Sequence, residues 1–183
     1  MLLTECAIEG AFLVELEPRR DERGFLARTF SADEFAARGL ETVFVQSYVS
    51  FTRHRGTIRG MHYQVDPAAE AKLVRCLRGA VLDVTVDLRP QSPTFMKHMA
   101  VELSASNRRS LYLPPLCAHG IQALSDNVEY LNSSTAFYAP EHERGMRFDA
   151  PALAIEWPLP VMGLSPKDAS WEPYRPPVLS PGR

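Results

Sequence analysis

Residues 58 to 64 read IRGMHYQ, a strand-like run that carries an arginine and a histidine where apolar fillers are usual. Further on, Lys72 heads a second run of this kind, KLVRCL. A histidine is a competent base near neutral pH, and a carboxylate behind it would fix its tautomer. A lysine and an arginine nearby would hold negative charge developing on a carbonyl oxygen. Such a set suits removal of a proton beside a ketone, leaving an enolate. Aspartates are many, and the sequence alone does not choose which one would back His62.

Simple alternation puts Arg59 and His62 on opposite faces of a strand. Gly60 lies between them, and a bulge at that glycine would turn both toward one cavity. The plainer alternative is a surface arginine beside a hydrogen-bonded core histidine. Lys72 shares a strand face with Val74 and Cys76, and a lysine on an apolar face is rarely buried without a partner. Its place at the strand's start also suits a solvated lysine. His119, in PPLCAHGIQAL, shares a face with Ile121 and Ala123, and a lone histidine of this kind is more often structural. His62 is followed by Tyr63 and Gln64, not by the closely spaced second histidine of metal-binding cupin barrels. His62 and His119 together fall short of three protein ligands, so no metal is expected and the chemistry would be acid–base.

The elements that must position these groups are short and alternating. VLDVTVDL sets Val84, Val86 and Leu88 against Asp83, Thr85 and Asp87, and MAVEL, SLYLP and VEYLNSSTAFYAP behave similarly. Period-two runs bounded by Pro, Gly, Asn and Ser predict half-buried strands, and their close spacing predicts an antiparallel sandwich or barrel. SADEFAARGLE is the best helix signal, with Ser31 as cap, Glu34 three residues on and Gly39 as stop. One all-β domain over residues 1–183 is expected, its core from about residue 10 to 168 and an irregular, proline-rich tail over 169–183.

The formal net charge of −2 argues against a broad nucleic-acid footprint but leaves room for a small arginine cluster on one phosphorylated ligand. Cys6, Cys76 and Cys117 are odd in number and far apart, which suits a reducing, cytoplasmic setting without disulfides. The start, MLLTECAIEGAFLVELEP, resembles neither a signal peptide nor a membrane span.

DERGF, VQSYVS, GTIRGMHYQ, AKLVRCLRGAVLDVTVDLRPQSPTF, LSASNRRSLYLPPLCAHG, FYAPEHERG and LSPKD follow one another between about residue 21 and residue 168. In that order they resemble the dTDP-4-dehydrorhamnose 3,5-epimerase family, which acts on nucleotide-linked 4-keto-6-deoxy sugars. The resemblance implies a cupin-type antiparallel jelly roll and a homodimer whose active sites draw residues from both subunits. It implies no cofactor, no nucleic acid and no membrane as partner. His62 would be the base and Asp168 its orienting carboxylate. Lys72, with Arg59 and His119, would stabilise the enolate oxygen at the sugar's C4. Arg23 would reach the nucleotide diphosphate from either subunit. Gln46 and Tyr138 would line the ligand, with Glu143 and Arg144 near them.

Three positions depart from the family pattern. Asn132 stands where a tyrosine usually serves as general acid, with Tyr130 two residues earlier on the same strand face. Arg28 replaces a common glutamate, and Tyr48 replaces a common asparagine. An altered substrate, or epimerisation at one carbon only, would follow. Two other outcomes fit the same residues: a ketoisomerase working through the same enolate, and a sugar-nucleotide binding protein without catalysis.

Overall fold

The structure is a computed structural model that describes residues 1–174. Its strands, in chain order, are β1 (Leu2–Glu5), β2 (Phe12–Glu15), β3 (Arg19–Asp21), β4 (Gly24–Leu26), β5 (Gln46–Thr52), β6 (Ile58–Gln64) and β7 (Lys72–Arg78). There follow β8 (Ala80–Asp87), β9 (His98–Ser104), β10 (Ser110–Leu113), β11 (Cys117–Ala123), β12 (Val128–Ser134) and β13 (Glu143–Gly145). Two short helices, α1 (Ala32–Ala36) and α2 (Pro166–Ser170), complete the described elements. One sheet runs β1-β2-β10-β7-β12-β5 and the other β13-β6-β11-β8-β9, while β3 and β4 form a separate hairpin. Every ladder within the sheets is antiparallel, and the two sheets close on each other as a jelly roll.

Between the sheets lies a core of Val74, Cys76, Val81, Leu103, Leu111, Ile121, Val128 and their neighbours. A second core sits on the outer face of β6, β8 and β11, where Met61, Val84, Val86 and Ala118 meet Met146, Ala150 and Leu153. The chain after β13 therefore covers a sheet face that would otherwise be wet. A third cluster packs Phe35 of α1 on Phe12, Val14 and Tyr112.

The alternation in VLDVTVDL is as expected, but the strand is not half-buried. Asp83, Thr85 and Asp87 are fully buried, and so are Val84 and Val86. The polar row faces the barrel interior and the apolar row faces the covering segment, so neither face reaches solvent. Asp87 is accommodated by the Arg89 guanidinium and the Ser92 and Thr94 hydroxyls. Burial alone would raise its carboxyl; these donors outweigh burial and lower it to about 2.

The predicted helix is present but shorter. Ser31 is its N-cap residue, yet its hydroxyl donates to Asp33 Oδ1 rather than capping a backbone amide. Glu34 makes no capping box; it pairs with the Met1 ammonium and Arg28. The tail expected from residue 169 begins inside α2, and residues 175–183 lie outside the described part. Among the described residues no helix is long and apolar enough to cross a membrane.

Candidate active site

β6 carries the first group through a local irregularity. His62 pairs with His119 of β11 and Arg59 with Ile121, so β6 spends one residue more than its partner over this step. That is a bulge, and it turns both Arg59 and His62 to the same cavity. Gly60 sits at the bulge with φ +123°, against the backbone of Gly120 and His119.

The carboxylate comes from far along the chain. Ser165 accepts a hydrogen bond from the Asp168 amide at 3.0 Å, capping α2 with Pro166 in its first turn. This turn buries Asp168 against β6, with Oδ1 2.6 Å from His62 Nε2 and Oδ2 accepting from the Gly60 amide at 3.3 Å. Burial would raise the Asp168 carboxyl, but the bond and charge of His62 and the Gly60 amide hold it below its ordinary value. A carboxylate can only accept, so Nε2 carries the proton and Nδ1 keeps its lone pair for other chemistry.

Across the cavity, β7 of the other sheet supplies Lys72. Of the two readings open to it, the buried one holds, with Nζ 3.4 Å from Glu70 Oε1 and 3.5 Å from the His62 carbonyl. His119 is held by Asp83, whose Oδ2 lies 3.0 Å from His119 Nε2. Tyr130 stacks on His119 and donates its hydroxyl to the same Asp83 oxygen. Burial, then the Asp83 charge, pushes the Tyr130 phenol well above its usual range, so its proton stays in that network. Arg59 is fixed by Thr52 Oγ1 at 2.8 Å and the Phe51 carbonyl at 2.9 Å.

The mouth is made by the chain between β12 and β13 and by α2. Tyr138 donates to Glu143 Oε2 at 2.6 Å, and Lys167 pairs with the same oxygen. The cavity, open at this mouth, measures about 480 Å³, within the range of small-ligand sites. Tyr48, Asn132 and Tyr130 line it from the same sheet as Lys72. Tyr48 and Asn132 face each other directly across the β5–β12 ladder, so two of the departures from the family pattern form a single cross-strand pair.

Four expected residues are elsewhere. Arg23 is exposed at the tip of the β3–β4 hairpin, bound to Asp21 at 2.6 Å, and does not reach its own chain's cavity. Arg28 lies in the segment leading into α1 and turns to Glu34 at 2.8 Å, beside a separate surface cleft with Glu17. Gln46 does not line the cavity; its Oε1 accepts from the Tyr138 amide at 3.3 Å, which ties the mouth to β5. Arg144 turns back on the Glu141 and Glu143 carbonyls. Conversely, Glu70, Asp83 and Lys167 belong to the site and were not singled out. Glu70 precedes Lys72 by two residues and Lys167 adjoins Asp168, so spacing offered a signal for both; Asp83 was hidden in a face expected to be wet.

Known proteins resemble this chain in sequence and in fold. The family model described as dTDP-4-dehydrorhamnose 3,5-epimerase matches residues 5–175. A dTDP-4-dehydrorhamnose 3,5-epimerase of Methanothermobacter thermautotrophicus is 40% identical over 172 residues, covering 92% of each chain. The crystal structure of the enzyme of that name from Elizabethkingia anophelis superposes with a TM-score of 0.92 at 36% identity, covering 95% of this chain and 96% of that one. A Legionella pneumophila dTDP-6-deoxy-D-glucose-3,5-epimerase, in complex with dTDP-4-keto-L-rhamnose, gives 0.86 at 36% identity over 93% of this chain and 91% of that one. The chain belongs to the dTDP-4-dehydrorhamnose 3,5-epimerase family.

Proposed function

We propose that the protein is an isomerase that epimerises a nucleotide-linked 4-keto-6-deoxy sugar, at C3, C5 or both, in deoxysugar biosynthesis. The His62–Asp168 pair at 2.6 Å, with Lys72 on the opposite wall of one cavity, carries this reading. His62 Nδ1 takes the proton beside the C4 ketone, and the bonding pair moves onto the ketone oxygen. Lys72, with Arg59 and His119, stabilises that oxygen. The substrate's own carbonyl is the electron sink, so the reaction draws on no cofactor. Tyr138 and Glu143 meet the sugar or its nucleotide at the mouth.

The test is deuterium wash-in followed by NMR, with native protein in heavy water and a panel of nucleotide-linked 4-keto-6-deoxy sugars. Label at a carbon beside the ketone, with an inverted product, is the expected result. A sugar that binds tightly yet gains no label would overturn the reading and leave a binding protein.

The active assembly is a homodimer. Val43, Val49, Phe51 and Leu77 are exposed on or beside the outer face of the β5 sheet, and Leu26 is exposed on the β3–β4 hairpin. Apolar groups gathered in this way favour a covered face. The same hairpin holds Arg23 away from its own cavity, where it can serve a second copy. Light scattering should give the mass of two chains; a stable single chain at working concentration would rule the dimer out.

A further inference from the structure

Inverting a carbon beside a ketone takes two proton transfers on opposite faces of the enolate. His62 serves one face from β6. At the mouth, Tyr138 and Lys167 are both engaged with Glu143, which leaves the facing sheet, where Tyr48, Ser50, Lys72, Tyr130 and Asn132 border the cavity. Four of these are poor donors. The Lys72 ammonium is paired with Glu70 and placed for the ketone oxygen. The Tyr130 hydroxyl is committed to a hydrogen bond with Asp83. An asparagine amide and a serine hydroxyl are far too weak as acids to protonate carbon.

We propose that Tyr48 is the general acid, delivering a proton to the enolate from the face opposite His62. The proposal rests on the epimerase reading above. Tyr48 lies on β5 directly across the ladder from Asn132, so its phenol enters the cavity from the neighbouring strand at the same level. Cross-strand partners have Cβ atoms about 4.5–5.5 Å apart, well within the reach of a tyrosine ring. Its side chain is half exposed, so water reaches it as well as the cavity.

Burial, with the charges of Glu70, Glu143 and Tyr138, pushes the Tyr48 phenol up to about 12. No hydrogen bond to a described residue contributes to that shift, so the proton is held but not committed. The C–H bond breaks and His62 gains the proton, while the electron pair rests on the C4 oxygen. The pair returns to carbon, a new C–H bond forms with the Tyr48 proton, and the phenolate is reprotonated by water. His62 gives its proton to solvent.

Tyr48→Phe separates the two transfers. The variant should lose inverted product by about 10²–10⁴-fold, the usual worth of a general acid. His62 should still exchange the substrate's own proton, so label should enter without inversion. Tyr48→Phe/Asn132→Tyr offers a phenol from the adjacent strand and should recover inversion to within about tenfold of native. Native-like inversion by Tyr48→Phe would overturn the proposal. So would equal loss of label and inversion in a variant that still binds dTDP and unfolds at the native temperature, since that would mark a general positioning role. Absence of label with native protein would instead remove the epimerase reading itself.

Discussion

His62→Ala is expected to lower deuterium wash-in by about 10²–10⁴-fold with substrate affinity little changed, because the variant removes the base but not the walls that hold the sugar. Asp168→Asn should approach the same loss. The carboxylate fixes Nε2 as the protonated nitrogen through its bond at 2.6 Å, and it stabilises the imidazolium formed when Nδ1 takes the proton. An asparagine amide can present its own N–H to Nε2, which selects the wrong tautomer and leaves Nδ1 carrying a proton. The double variant should be no slower than His62→Ala alone, since Asp168 acts only through His62. The Asp168 carboxyl is held below its ordinary value, so it remains charged throughout the neutral range. Any fall in native rate between pH 8 and about 5 therefore belongs to other groups. Exchange by His62→Ala within threefold of native would remove the dyad from the mechanism.

The second large effect concerns stability. Gly60→Ala would place a Cβ 2.5 Å from Gly120 Cα and 2.8 Å from the His119 carbonyl, both backbone atoms of the central strand β11. Neither can rotate aside as a side chain would. Gly60 also has φ +123°, which a residue with a Cβ rarely adopts. Strained conformation and overpacking each cost about 1–3 kcal/mol, so a loss of about 2–6 kcal/mol is expected. At a slope of about 2 kcal/mol/M, the urea midpoint should fall by about 1–3 M. Gly24→Ala is the control: φ is +134°, but nothing lies within 4 Å of the added Cβ. It should lose only the conformational part, about 1–3 kcal/mol. Equal losses at the two positions would show that the approach of β6 to β11 carries no steric demand.

Much of the site was legible because strand alternation is a local property. Lys72 stands on the face of Val74 and Cys76, which raised a buried, partnered lysine beside the solvated one that its place at the strand's start also suited. Gly60 between Arg59 and His62 signalled the bulge that brings them together. Pairing between strands is not local, however. Nothing near residue 48 says that β5 lies beside β12, so the meeting of Tyr48 and Asn132 appears only with the register. Asp83 misled for a related reason. A row of Asp, Thr and Asp usually faces water, but here the covering segment takes the opposite face and sends the polar row inside. Arg23, Arg28 and Gln46 were expected at the ligand through resemblance alone. Their side chains follow nearer partners, Asp21, Glu34 and the Tyr138 amide. The short helix that delivers Asp168 had a local signature in Ser165, Pro166 and Asp168, though its length hides it from any test of periodicity.

The separation of His62 from Asp168 by 106 positions sets an order of events during synthesis. Among the described residues the last of the thirteen strands ends at Gly145, before α2 begins. A nascent barrel can thus expose His62, Lys72 and a cavity while its base still lacks the carboxylate that sets its tautomer. Thr57 pairs with Gly163 and Gln122 binds the Leu159 backbone, so the chain leading into α2 is tied to the start of β6 and to β11 just ahead of Asp168. The carboxylate behind His62 is therefore supplied by the same stretch of chain, after β13, that seals the outer sheet.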